Sequence, residues 1–146
     1  MRRIIALSVL TLLLAGCAQK PAFEELADGP CTSAQSKLIT KHISGQIDAL
    51  AKKNWEMAYS YASADFQAAV AIDQFTFIIG AQYAMLVQNQ GYQFGACEII
   101  NRAIKQEVNV TSGKELYNLA YKLSVEKEAL GIDSAAVVKT DTPLQV

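Results

Sequence analysis

After Gly91 the apolar residues of this 146-residue chain change their period. Up to that point they recur at helical spacing, and beyond it they alternate. Tyr117, Leu119, Tyr121, Leu123 and Val125 stand against Asn118, Ala120, Lys122, Ser124 and Glu126 without a fault. That alternation specifies a strand with one buried face and one wet face. Ile104, Gln106, Val108 and Val110 alternate with Lys105, Glu107 and Asn109 in the same way. Residues 92–100 are rich in aromatic and β-branched side chains, and Thr111-Ser112-Gly113 is a turn signal. A second turn over 128–131 precedes a last strand over 132–140. Helices followed by an antiparallel meander define an α+β domain, because each apolar surface needs the other to leave water.

The helical half is punctuated by caps. Thr32 with Gln35 forms a capping box. Ile39, Ile43, Ile47 and Leu50 then make one stripe, so a first helix is expected from residue 33 to about 52. Gly45 costs about 1 kcal/mol in mid-helix, which points to a close approach by another backbone. Asn54 caps a shorter second helix that turns Trp55, Ala58, Tyr59 and Ala62 inward, with Trp55 at the junction of the two helices. A break follows at 63–65, and residues 66–72 have room for a short turn. Asp73 caps a third helix running to about Gln88, with Phe75, Ile78, Ile79, Tyr83 and Leu86 on its main stripe. Phe77, Ala81 and Ala84 fall on the opposite side, and a helix apolar on both sides is buried twice or docks a partner. The expected architecture is therefore three N-terminal helices packed on a curved antiparallel sheet of three to four strands, cone-like, over residues 32–142. Residues 143–146 are read as a tail.

The N-terminus carries a localisation pattern. Arg2 and Arg3 precede an apolar run over residues 4–14, within the ~7–15 residues of a secretory signal and short of the ~20 that cross a bilayer as a helix. Leu14-Ala15-Gly16-Cys17 closes the run and resembles the lipobox of bacterial lipoproteins. The resemblance implies that residues 1–16 are removed and that the Cys17 thiol carries the lipid. It also implies a periplasm-facing location on the membrane, and Ala18 after the cysteine favours the outer over the inner membrane. Residues 17–31, with Pro21, Gly29 and Pro30, read as a tether that fully extended reaches ~45 Å, enough for the body to stand off the bilayer and reorient.

Composition narrows the partners. Without Arg2 and Arg3 the 13 basic residues become 11 against 14 acidic ones, a net charge of about −3 spread without runs. That excludes the basic face that nucleic acid requires. Cys31 and Cys97 remain after Cys17 is assigned. They are either a disulfide, closing a loop worth roughly 4 kcal/mol in chain entropy, or two buried thiols. Two cysteines and the single His42 match no standard zinc spacing, and no glycine-rich phosphate loop or nucleophile elbow is present, so no metal or cofactor is expected.

Lys53-Asn54-Trp55-Glu56-Met57-Ala58-Tyr59, the helix carrying Phe75 to Tyr83 and the long meander together resemble the nuclear-transport-factor-2-like, or cystatin-like, superfamily. Within it they are most similar to a small bacterial family of unknown function. The resemblance implies a cone with a pocket between sheet and helices, and it covers enzymes as well as binding and dimerising modules. Family enzymes place an aspartate or histidine with a tyrosine in that pocket, and here no residue transfers with its role. The candidates are His42 as a general base, and Tyr83, Tyr117 or Tyr121 as hydroxyl donors, each weighed against a packing role. Gln46, near the centre of the first helix's stripe, is either a pocket amide or bonded to backbone. Asp48 is assigned to the outer face. The expected function is a membrane-anchored, non-catalytic domain that binds a small apolar ligand or a protein, including a second copy of itself. The alternative is a small cofactor-free isomerase or hydro-lyase built on His42 and a tyrosine.

Overall fold

The computed structural model describes residues 20–138. The signal segment, Cys17 and the tail at 143–146 lie outside the described residues. Turn chemistry sets the sheet. β2 (Gly91–Ile100), β3 (Ala103–Ser112), β4 (Glu115–Glu126) and β5 (Ala129–Val137) follow one another as an antiparallel meander. Asn101-Arg102 and Lys127-Glu128 make two-residue turns with both central residues at positive φ, the twist that matches paired strands. Gly113, also at positive φ, opens the turn between β3 and β4. The turn expected at 128–131 thus falls earlier, and β5 begins at Ala129.

A fifth strand, β1 (Gly29–Pro30), precedes these and pairs Gly29 with Ile99, giving the order β1-β2-β3-β4-β5. The sheet has five strands rather than three to four because Cys31 N donates to Cys97 O at 3.0 Å and draws the preceding residues onto the edge of β2. The apolar face of the sheet is the one expected from the alternation: Ile104, Val108, Val110, Leu119, Tyr121 and Leu123 are buried. Gln106 sits among them and explains itself. Its Nε2 donates to Gly95 O at 3.1 Å and Ala96 O at 3.2 Å, carbonyls that the bulge between Phe94 and Cys97 takes out of the ladder.

Among the described residues there are five helices, not three. α1 (Ser33–Ala51) has the full Thr32–Gln35 capping box and buries Ile39, Ile43, Ile47 and Leu50 completely. α2 (Trp55–Ser60) starts from Asn54, whose side chain accepts from Met57 N. Ser63 does not merely break the chain. Its hydroxyl accepts from Phe66 N and starts α3 (Ala64–Ala69). α4 (Ile72–Gln82) begins one residue before Asp73, and the expected third helix stops at Tyr83, after which α5 (Ala84–Val87) completes it. The break lets the Tyr83 hydroxyl donate to Ala135 O on β5.

Two close approaches lock helices to sheet. The ring of Tyr61 occupies the space a side chain at Gly45 would fill, so the neighbour that Gly45 admits is a tyrosine rather than another backbone. Residues 61–63 run beside β5: Ile132 N donates to Tyr61 O and Ser63 N to Ile132 O, both at 2.9 Å. This parallel bridge blocks the edge of β5 at Ile132, which would otherwise be open to pairing.

The stretch read as a tether is largely part of the body. Phe23 and Leu26 are buried in the core. Gln35, beyond its capping role, donates from Nε2 to Ala22 O at 3.0 Å. Asp28 accepts from Asn101 N at 2.8 Å. Pro21, Gly29 and Pro30 do not by themselves separate a strapped segment from a loose one, so local composition was silent on this.

Candidate functional site

The inner face of α4 and the middle of β5 do not close completely on α1. Between them lies a cavity of about 140 Å³ lined by Phe66, Phe75, Ile78, Ile79, Tyr83, Leu86, Ile132 and Ala135, with Gln46, Ala62, Asp133 and Ser134 completing the wall. The lining is mostly apolar. Gln46 supplies its one buried polar side chain, and its Nε2 donates to Ala58 O at 3.3 Å. Both readings of Gln46 from sequence therefore hold together: it bonds to backbone and it faces the pocket. The Asp133 carboxylate is engaged by Ser124, whose hydroxyl donates to it at 2.9 Å.

His42 is elsewhere. It lines a shallower cleft with Phe23, Leu38, Lys41, Tyr61, Glu128 and Leu130. Its Nε2 lies 2.9 Å from Tyr61 O, and its ring meets that of Tyr61 edge-on at 5.0 Å. Partial burial lowers its pKa, with the Tyr61 carbonyl opposing the shift. The neutral ring, with Nε2–H donating to the carbonyl, is the favoured form near neutral pH.

The tyrosines separate into three situations. Tyr83 borders the cavity with its hydroxyl committed to Ala135 O. Tyr121 is fully buried in the core, and its hydroxyl has no hydrogen-bond partner among the described residues. Burial, with Tyr83 and Tyr92 nearby, drives its pKa far above the usual tyrosine range. Tyr117 stands at the sheet surface with its hydroxyl on the Glu115 carboxylate, which raises its pKa. The structure therefore does not bring His42 together with Tyr83, Tyr117 or Tyr121. Asp48 holds the Tyr92 hydroxyl at 2.8 Å across to β2.

Cys31 and Cys97 are joined as a disulfide with Cα atoms 5.4 Å apart. Among the described residues no group of His, Cys, Asp or Glu is arranged to hold a metal ion, and no helix is long and apolar enough to cross a membrane. Phe77 is 73% exposed on the outer side of α4, the face that sequence marked as apolar on both sides. Sequence reasoning missed the contribution of β5 to the cavity. Ile132 and Ala135 read only as strand residues, and the one signal for their role was Gly131, which admits residues 61–63 to the strand edge.

Residues 32–144 match a family model described as a domain of unknown function, DUF4864, and the chain belongs to that family. Neither a curated protein nor a solved structure matches the chain.

Proposed function

We propose that this chain is a bacterial lipoprotein, anchored through Cys17, whose α+β domain binds a small apolar ligand without acting on it. The observation that carries the binding reading is the cavity between α4, Gln46 and β5. An apolar cavity of similar size, about 150 Å³, takes a ring the size of benzene. Gln46 adds one amide to read a hydroxyl or carbonyl on such a ligand. The resemblance to the nuclear-transport-factor-2-like superfamily supports a pocket at this place in the fold. The lipobox pattern Leu14-Ala15-Gly16-Cys17 supports the anchor.

Ligand that binds only the folded state raises the melting temperature, by an amount that grows with the logarithm of free ligand once it exceeds Kd. Titration with phenol or indole should therefore raise it in the wild-type domain, and Ile78→Trp, which fills the cavity from its α4 side, should abolish the shift. A wild-type domain indifferent to every ring of this size, or a shift that survives Ile78→Trp, would count against the reading. A second reading, self-association through α4, is favoured by the exposure of Phe77. Sedimentation of the wild type against Phe77→Asp decides it: a dimer lost on substitution supports it, and a wild-type monomer rejects it.

A further inference from the structure

We infer that the domain does not hang from its anchor but is held end-on against the lipid surface. The inference rests on the lipid-anchor reading and concerns how the anchored body sits. Thirteen residues, 18–30, separate Cys17 from Cys31 in sequence. Most of them are strapped to the fold. Phe23 and Leu26 are buried, Gln35 holds Ala22 O, Asp28 holds Asn101 N, and Gly29 and Pro30 pair with β2. Even at Pro21 the carbonyl accepts from Glu24 N at 3.1 Å. What is left between the lipid-bearing cysteine and the strapped segment is Ala18, Gln19 and Lys20. Extended, these reach about 10 Å, about the thickness of a headgroup layer.

So short a tether selects one end of the molecule. Phe23 shares its cleft with Leu38, Lys41 and Glu128, so this end carries the start of α1 and the β4–β5 turn. The β2–β3 turn is tied to it through Asp28 and Asn101. Leu38 is 43% exposed there, beside Lys41, whose stem can lie along lipid while its ammonium reaches the headgroups. Lys41 shares the cleft with Glu128, so charge does not decide the contact; tether length does. The β3–β4 turn at Gly113 and Lys114 lies at the opposite end of strands ten residues or more long, about 30 Å away.

The test uses the full acylated chain in vesicles of phosphatidylethanolamine and phosphatidylglycerol. With Cys31 and Cys97 joined and Cys17 acylated, a single new thiol at Leu38→Cys or Lys114→Cys is the only one open to a membrane-impermeant maleimide. Labelling at Leu38→Cys should be slowed several-fold relative to the same chain in detergent, with no change at Lys114→Cys. Inserting about ten Gly/Ser residues between Ala18 and Gln19 should restore labelling at Leu38→Cys, since a chain of that composition is a loose coil. Equal labelling at both sites in the acylated protein, or protection that survives the insertion, overturns the inference and leaves the anchor intact. A mass spectrum showing an unmodified Cys17 overturns the anchor reading itself, and is taken first.

Discussion

A side chain added at Gly131 would meet the Cα of Ser63 at 2.5 Å. That is a contact between backbones, and neither can swing aside. It lets residues 61–63 bond to Ile132 on β5 and so forms one wall of the cavity. Gly131→Ala should therefore cost about 1–3 kcal/mol, the range for overpacking a filled site. Gly45→Ala should cost less, because the obstacle there is the far end of the Tyr61 ring and alanine regains helix propensity. Urea unfolding of the two variants checks the order, and a Gly131→Ala protein as stable as wild type would contradict it.

The Cys31–Cys97 bridge spans 66 positions and fastens the N-terminal strap to β2. Removing it with the pair Cys31→Ser and Cys97→Ser should lower stability by about 2–4 kcal/mol. The loss should also appear as faster proteolysis before α1, since β1 pairs with β2 over only two residues. Denaturant midpoints with and without the bridge measure the first effect, and limited digestion reads the second.

Tyr83 and Tyr121 should respond oppositely to loss of their hydroxyls. Tyr83→Phe breaks a bond to Ala135 O and should destabilise by about 1 kcal/mol. Tyr121→Phe removes a buried hydroxyl with no partner among the described residues, so it should be neutral or stabilising. Calorimetry of the two variants separates these outcomes. A Tyr121→Phe protein much less stable than wild type would reveal a hydrogen bond made by the Tyr121 hydroxyl.

His42 gives the fold a pH dependence of known sign. Its pKa is lowered in the folded state by burial, so the unfolded chain takes up its proton more readily. The stabilisation that follows is complete above the ordinary value of 6.5 and is lost as pH falls from there through the lower folded value. In His42→Gln, stability should fall less steeply over that interval. Melting temperatures measured in steps from pH 8 to below 6 check this, and parallel curves for both proteins would contradict it.

Much of the fold was legible before the structure. Ile39, Ile43, Ile47 and Leu50 announced one face of α1, and the alternation around Tyr121 announced β4, because in both cases a single period runs unbroken. Position in space was not legible. Nothing local distinguishes Phe23 in a loose tether from Phe23 in a core, and the difference arises from Gln35 and Asn101, which are distant in sequence from the carbonyl and carboxylate they meet. The helix expected to run to Gln88 stops at Tyr83 because a long-range bond to Ala135 rewards the break. For the same reason Gln46 was identifiable as a polar residue on an apolar stripe, whereas the β5 half of its cavity was not.

The proposed anchoring of this domain to a membrane through Cys17 is tested most directly by mass spectrometry of the protein extracted from membranes. The expected result is an N-terminal peptide that begins at Cys17 and carries diacylglycerol on its thiol. A peptide with free Cys17, or one that begins at another residue, would contradict it.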